Sequence, residues 1–107
     1  MSGTMTIMIV EDDKYILNFI SMTLKKEGYG YFVAKTVEEA QSLFYANRPD
    51  MILLDLGLPD GDGMEVIRNV REVSEIPIIV VSARQEEREK IEALDAGADD
   101  YVTKPFY

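Results

Sequence analysis

The sequence of 107 residues contains no cysteine, no histidine and no tryptophan. Without cysteine or histidine, the chain has no disulfide, no zinc site of the usual kind and no thiol or imidazole nucleophile. A phosphohistidine carrier is excluded for the same reason. Any metal bound by this chain must therefore be a hard cation that is held by oxygen ligands.

Basic residues are also scarce, since 11 Lys and Arg stand against 20 Asp and Glu, which gives a formal net charge of −9 at pH 7. Nucleic-acid binding needs clustered Lys and Arg that neutralise phosphates, and the basic residues here are scattered. We therefore expect that any DNA binding resides in a separate domain that is absent from this chain.

Long hydrophobic runs are missing as well. No segment approaches the length that spans a membrane, and the N-terminus lacks the pattern of a signal peptide. With 47% hydrophobic and 29% charged residues, the composition is that of a folded globular protein. We expect a cytoplasmic protein that makes no contact with a membrane.

Apolar runs alternate with segments of helical period, which is typical of βα repeats around a parallel sheet covered on both faces. The predicted strands are residues 6–10, 31–34, 51–54, 78–81 and a short strand around Tyr101 and Val102. We expect one α/β domain over residues 1–107, with five strands and four intervening helices. Residues 1–4 precede the first strand and are expected to be a cloning remnant.

The segments between the strands carry signals for helix starts and ends. Apolar residues of the first segment recur every four positions, at Ile16, Ile20 and Leu24. The pair Thr36 and Glu39 has the spacing of a capping box and predicts the start of the second helix. Asp62 and Glu65 repeat that spacing before the third helix, and Gly97 predicts the end of the fourth.

Polar residues follow four of the five predicted strands. They are Glu11, Asp12 and Asp13 after the first strand, Asp55 after the third, Ser82 after the fourth and Lys104 after the fifth. Ligands of open parallel sheets bind beyond the carboxyl ends of the strands, so we expect these side chains to share one pocket. Crowded carboxylates repel unless a cation neutralises them. Mg²⁺ fits, because it takes oxygen ligands and commonly bridges carboxylates to a phosphoryl oxygen.

Such a pocket suits phosphoryl transfer, which needs mainly positioning and charge neutralisation. An Asp carboxylate can serve as the nucleophile and become an acyl phosphate, and Lys104 would supply a second positive charge. Each residue also has a simpler explanation. Acidic residues at strand-to-helix junctions commonly cap helices, Ser82 and Gln85 have capping spacing, and a single lysine is usually a solvated surface residue. Their joint occurrence at the strand ends favours a functional site.

Four segments look like the signature blocks of response-regulator receivers. They are Ile9-Val10-Glu11-Asp12-Asp13, residues 54–61 (LDLGLPDG), Val81-Ser82-Ala83-Arg84, and residues 97–106 (GADDYVTKPF). Their order and spacing also agree, so the chain resembles the receiver domains of bacterial two-component systems over essentially its whole length. This resemblance implies a doubly wound parallel sheet with the flavodoxin-like strand order 2-1-3-4-5.

The resemblance also implies the roles of the acidic residues. Asp55 matches the phosphoacceptor, and Glu11 and Asp12 match the acidic pair that binds Mg²⁺ together with Asp55. The carbonyl of Gly57 matches the backbone ligand of the metal. Asp13 falls just outside the metal pair and is expected near the cap of the first helix.

The remaining matches concern the switch. Ser82 matches the hydroxyl that turns toward the phosphoryl group, Tyr101 the aromatic residue whose rotamer follows that hydroxyl, and Lys104 the lysine of the motif. The implied function is a phosphorylation-dependent signalling switch rather than an enzyme. It would accept a phosphoryl group from a sensor histidine kinase on Asp55, later hydrolyse it, and control a downstream output.

Within the family, residues 55–63 resemble the winged-helix class of transcriptional regulators. Lys90, Asp95 and Asp99 match the half of a homodimer face that the fourth helix and fifth strand contribute. As ordinary surface charges, they would each contribute only about 0–1 kcal/mol to stability. Receivers of this class continue into a fifth helix, and this sequence ends at Tyr107. We therefore expect a truncated receiver whose fifth helix is missing from this chain.

Two other functions are compatible with such a sheet. An interaction module would keep the fold without phosphorylation, but such modules usually lose one of the acidic pair, Asp55, Ser82 or Lys104, and this chain has them all. An Asp-dependent phosphatase or mutase would need a second aspartate two residues after the nucleophile. Gly57 stands at that position, which disfavours this alternative.

Overall fold

The computed structural model describes residues 5–83 and 86–104. Its main sheet contains five strands: β1 (Thr6–Val10), β2 (Gly30–Ala34), β3 (Met51–Leu54), β4 (Ile78–Ser82) and β5 (Asp100–Thr103). Their spatial order is 2-1-3-4-5, and every neighbouring pair is parallel. The predicted fold class is confirmed. The motif residues Arg84, Pro105 and Phe106, the capping candidate Gln85 and the four N-terminal residues lie outside the described residues.

The described ranges contain four helices: α1 (Lys14–Lys26), α2 (Val37–Asn47), α3 (Met64–Arg71) and α4 (Glu87–Ala96). A hairpin of two short antiparallel strands, Gly57–Leu58 and Gly61–Asp62, lies between β3 and α3. None of these helices combines the length and the apolar character that crossing a lipid bilayer requires.

The sheet is covered on both faces because its strands present apolar side chains to alternate sides. On one face, Ile7 and Ile9 of β1 pack with the buried stripe of α1, which consists of Ile16, Ile20 and Leu24. On the other face, Met8 and Val10 belong to a larger cluster that includes buried residues of α2, α3 and α4. This two-sided burial leaves the ends of the strands as the place for polar residues.

The predicted caps are mostly confirmed, with two local corrections. The Thr36 hydroxyl accepts from the N–H of Glu39, but the Glu39 carboxylate accepts from the N–H of Lys35 instead of that of Thr36. The third helix begins after Gly63, one residue later than predicted, and Asp62 accepts from the N–H of Met64 at 3.0 Å. The N-cap of α2 is the predicted Thr36, and only the start of α3 is shifted.

Both ends of α4 can be compared with the signals expected for the fourth helix. Gly97 ends the helix with φ of +124°, a conformation that L side chains rarely adopt. The helix begins only at Glu87, whereas Ser82 is the last residue of β4. Ser82 is therefore not the N-cap of α4, which is Glu86.

Candidate functional site

Two neighbouring strands bring Glu11 and Asp55 side by side. Val10 of β1 lies opposite Leu54 of β3, and each acidic residue is the next one along its strand. The N–H of Asp55 donates to the carbonyl of Val10 at 2.9 Å, and the N–H of Glu11 donates to the carbonyl of Ala34 at 2.9 Å. The sheet therefore extends its hydrogen bonding up to the residues that bear the carboxylates.

Three carboxylates converge beyond these strand ends. Glu11, Asp12 and Asp55 each offer one oxygen, and these oxygens all lie within 4.8 Å of one another. Glu11 is buried, Asp12 is exposed and Asp55 is partly buried, so the cluster opens from the sheet edge toward solvent. Asp13 has a different role, because its carboxylate accepts from the N–H groups of Tyr15 and Ile16 and caps α1.

Lys104 brings a positive charge to this cluster. Its N–H donates to the carbonyl of Ser82 at 2.8 Å, which fixes its backbone beside β4. The Lys104 ammonium donates to Glu11 Oε1 at 2.8 Å and lies 3.6 Å from Asp55 Oδ2. The side chains of all three residues are less than one-sixth exposed, so this contact is shielded from solvent and is unlike a surface ion pair.

Two pKa shifts reflect the burial and the neighbouring charges of this site. Burial raises the pKa of Glu11, and the nearby negative charge of Asp55 adds to the rise against the hydrogen bond from Lys104. Burial acts to lower the pKa of Lys104, but its hydrogen bond to Glu11 and the charge of Asp55 outweigh that effect and raise it. Both shifts favour the protonated form, for Glu11 mainly because of burial and for Lys104 because two carboxylates lie beside its ammonium.

This donor set fits Mg²⁺ in chemistry. All the side-chain candidates offer hard oxygen ligands, and excess negative charge is what a divalent cation would neutralise. The N–H of Gly57 donates to Asp55 Oδ1 at 3.3 Å, so the residue expected to supply a backbone ligand lies beside the expected nucleophile. A bound cation would also oppose the rise in the pKa of Glu11, because its positive charge favours the ionised carboxylate.

The two expected switch residues lie on one face of the sheet. Ser82 is 1% exposed and pairs with Thr103 on β5, while Val80 pairs with Tyr101, which is 8% exposed. Because side chains two residues apart in a strand share a face, Ser82 and Tyr101 both point to the side covered by α2, α3 and α4. The structure thus places Ser82 at the end of β4, and Tyr101 two positions further back on the neighbouring strand.

The expected dimer-face residues lie away from the carboxylate cluster. Lys90 and Asp95 are on α4, and Asp99 lies between α4 and β5. Asp99 Oδ2 accepts from Arg71 Nη2 at 2.9 Å and from the N–H of Ile78 at 2.8 Å. Part of the Asp99 carboxylate is therefore engaged within the chain.

Two residues, Arg71 and Asp60, make structural contacts that the sequence did not predict. Arg71 donates to the carbonyls of Gly97, Ser74 and Ile76 besides its pair with Asp99, and so joins α3 to the chain on both sides of β4. Asp60 accepts from two N–H groups of α2. No local pattern identifies either residue, because most of these partners lie more than twenty positions away.

Comparisons with known proteins agree with this geometry. The response regulator receiver domain family matches residues 7–107. The KDP operon transcriptional regulatory protein KdpE of Escherichia coli K12 is 51% identical over 100 residues, which are 94% of this chain and 44% of that protein. This similarity agrees with the likeness of residues 55–63 to the winged-helix class of transcriptional regulators. The chain spans less than half the length of this relative.

Solved structures show the same fold. A two-component response regulator from Clostridium difficile has a TM-score of 0.93 and 31% identity, covering 97% of this chain and 86% of that one. The BeF3-activated N-terminal receiver domain of Klebsiella pneumoniae RstA has a TM-score of 0.89 and 30% identity, covering 95% and 87%. With the sheet order, the carboxylate cluster and these similarities taken together, the chain belongs to the response regulator receiver domain family.

Proposed function

We propose that Asp55 accepts a phosphoryl group from the phosphohistidine of a sensor histidine kinase, in a reaction that needs Mg²⁺. The observation that carries this proposal is the placement of Asp55 between opposite charges. Its Oδ2 lies 3.6 Å from the Lys104 ammonium, and its carboxylate shares a cluster with Glu11 and Asp12. This is the arrangement expected for a phosphoryl acceptor, because the added group carries about two negative charges.

The chain's own residues have defined tasks in this reaction. An oxygen of Asp55 forms a bond to phosphorus while the bond from phosphorus to the kinase imidazole breaks, and the imidazole keeps the electron pair and takes up a proton. Lys104 holds positive charge beside the incoming oxygens. When bound by Glu11, Asp12, Asp55 and the Gly57 carbonyl, Mg²⁺ would neutralise further charge on the phosphoryl oxygens. The partial exposure of Asp55 leaves room for the donor.

The consequence proposed for phosphorylation is a change on the α4 side of the sheet. Ser82 is buried at the end of β4 and Tyr101 lies on the same face of the neighbouring strand. A phosphoryl group on Asp55 would draw the Ser82 hydroxyl toward it, and Tyr101 would follow into the space released. We propose that this alters the surface of α4, including Lys90, Asp95 and Asp99, and favours a homodimer.

The output is proposed to be transcriptional. The relative KdpE is a transcriptional regulatory protein, and the matched region covers 44% of its length. A charge of −9 makes direct DNA binding by this chain unfavourable. DNA binding would then belong to a separate domain, with the receiver acting as a cytoplasmic switch that controls it.

The first prediction tests the acceptor by intact mass spectrometry after incubation with Mg²⁺ and acetyl phosphate. We expect the wild-type chain to gain one phosphoryl group, and Asp55→Asn to gain none. Omission of Mg²⁺ should abolish the gain in the wild type. Asp62→Asn is the matched control, because this exposed carboxylate is in the same loop and an amide oxygen can still accept from Met64.

Two results would contradict the proposal. A gain of mass by Asp55→Asn equal to that of the wild type would place the acceptor elsewhere. A folded wild-type chain that binds Mg²⁺ and gains no phosphoryl group would favour an interaction module.

A further inference from the structure

Asp60 joins two segments that are distant in the sequence. Its Oδ1 accepts from the N–H of Val37 at 2.7 Å, and its Oδ2 accepts from the N–H of Glu38 at 3.1 Å. Both donors belong to the first turn of α2, whereas Asp60 lies at the turn of the hairpin that follows β3. The N–H groups of a first helical turn lack partners within the helix, and they attract a carboxylate strongly.

Helix capping alone does not explain this contact. The N-cap of α2 is Thr36, whose hydroxyl already accepts from the N–H of Glu39. Asp60 takes the two preceding N–H groups of the same turn. The hydrogen bond from Val37 lowers the pKa of Asp60 and outweighs the opposing effect of burial, with Glu38 adding to the shift. Asp60 is therefore ionised at neutral pH and can accept through both oxygens.

On one side, the hairpin connects Asp60 to the proposed phosphoacceptor Asp55. Gly57 pairs with Asp62 and Leu58 pairs with Gly61, so the hairpin that carries Asp60 also fixes the backbone of Gly57. The N–H of Gly57 in turn donates to Asp55 Oδ1. A displacement of the hairpin tip would therefore move Gly57, which is expected to supply the backbone ligand of the cation.

On the other side, α2 and β2 connect Asp60 to the buried Glu11. The first turn of α2 follows β2, and the last residue of that strand, Ala34, accepts from the N–H of Glu11. Asp60 thus closes a ring of contacts that starts at Glu11, passes through α2 and the hairpin, and returns to Asp55. This link through Asp60 adds to the direct pairing of β1 with β3, which joins Glu11 and Asp55 on the side of the sheet.

We infer that Asp60 is a positioning residue for the cation site, because it holds the Gly57 hairpin against the first turn of α2. The inference rests on the proposed Mg²⁺ site. Residues that orient metal ligands without touching the metal commonly change affinity by about 10–100-fold when they are removed. Because Asp60 acts through the position of one backbone ligand, we expect a loss of roughly tenfold, at the lower end of that range.

The second prediction tests this inference by calorimetric titration of the whole chain with MgCl2, with thermal unfolding measured in EDTA. Asp60→Ala removes both acceptors and should weaken Mg²⁺ binding roughly tenfold. Asp60→Asn removes the same charge but keeps an oxygen that can accept from Val37, so its affinity should stay within about threefold of the wild type. Thr36→Ala removes a cap from the same turn of α2 without releasing the hairpin, and should leave Mg²⁺ affinity within about twofold while lowering Tm.

Each of the following outcomes would contradict the inference. Equal weakening by Asp60→Ala and Asp60→Asn would assign the effect to the lost charge. Equal weakening by Thr36→Ala and Asp60→Ala would assign it to the stability of α2. An affinity of Asp60→Ala within twofold of the wild type would show that the hairpin keeps its position without the contact. Absence of Mg²⁺ binding by the folded wild type would overturn the inference together with the proposed cation site, whereas the other three outcomes leave that site intact.

Discussion

At the scale of single residues, Lys104 and a bound divalent cation would compete for one carboxylate. The Lys104 ammonium donates to Glu11 Oε1 at 2.8 Å, and Glu11 is also one of the three clustered carboxylates. The same lysine is proposed to neutralise the phosphoryl group. Its removal should therefore have opposite effects on cation binding and on phosphoryl transfer.

The third prediction follows from that competition. Lys104→Ala should tighten Mg²⁺ binding by about 1 kcal/mol, or roughly fivefold, because a positive charge close to the cation is removed in a partly solvated site. The same variant should slow phosphorylation by acetyl phosphate by at least roughly tenfold, because charge neutralisation at the acceptor is lost. Calorimetric titration and time-resolved intact mass provide the two readouts.

Lys26→Ala is the charge-matched control for this prediction. Lys26 is exposed at the last turn of α1, where it lies outside the carboxylate cluster. We expect this variant to resemble the wild type in both measurements. Weaker Mg²⁺ binding by Lys104→Ala than by Lys26→Ala would contradict competition for Glu11.

At the scale of elements, the hairpin between β3 and α3 packs against the backbone of the acceptor. A Cβ atom at Gly63 would lie 2.8 Å from the carbonyl oxygen of Asp55 and 2.8 Å from Cα of Leu56. The N–H of Gly63 also donates to the carbonyl of Leu56 at 3.0 Å. Neither neighbour can turn away as a flexible side chain could, so glycine is required here for close approach.

The fourth prediction compares two glycines of this segment by urea unfolding. Gly63→Ala should lower the free energy of unfolding by about 2–3 kcal/mol, because the backbone next to Asp55 must move. Gly61→Ala should change it by no more than about 0.5 kcal/mol, since its Cβ would meet Val37 at an ordinary 3.6 Å. Equal stabilities of the two variants would contradict the proposed close packing.

At the scale of the whole molecule, electrostatic repulsion affects stability. The chain carries a formal charge of −9, and three of its carboxylates lie within one cluster. Any cation reduces the overall repulsion by screening, but a bound divalent cation also stabilises the folded state by mass action. Stabilisation by a bound cation requires the three clustered carboxylates, whereas screening does not.

The fifth prediction separates these effects by thermal unfolding. Mg²⁺ at about ten times its Kd should stabilise the fold by about 1.4 kcal/mol, which corresponds to a Tm increase of roughly 5–10 °C for a domain of this size. NaCl at equal ionic strength should raise Tm less, and Asp12→Asn should reduce the Mg²⁺ effect. An equal response to both salts would indicate screening of the whole surface, without a site.

The fold could be predicted from the sequence because its signals are local. Apolar alternation and helical spacing depend on residues within a few positions, and five strands and four helices were found close to their predicted bounds. The β2 strand begins one residue before the prediction and β4 ends one residue after it. The start of α3 lies one residue after the prediction, because Gly63 and not Asp62 is its N-cap.

The sequence by itself also determined the chemistry of the site. A chain without cysteine and histidine can offer a metal only oxygen ligands, and polar residues after parallel strands must meet at one edge of the sheet. How close they come was decided by tertiary structure, since the Lys104 ammonium reaches Glu11 across 93 positions. The resemblance to the family placed Asp12 in the cluster and Asp13 at the cap of α1, and their carboxylates lie there.

Only the folded chain shows the contacts of Asp60 and Arg71. Asp60 meets α2 across 22 and 23 positions, and Arg71 meets Asp99 across 28. Local patterns arise from hydrogen bonds between near neighbours in the chain, whereas these contacts depend on how separate elements pack. Sequence spacing therefore predicted the strands, the helices and the oxygen ligands, and packing decided which side chains connect them.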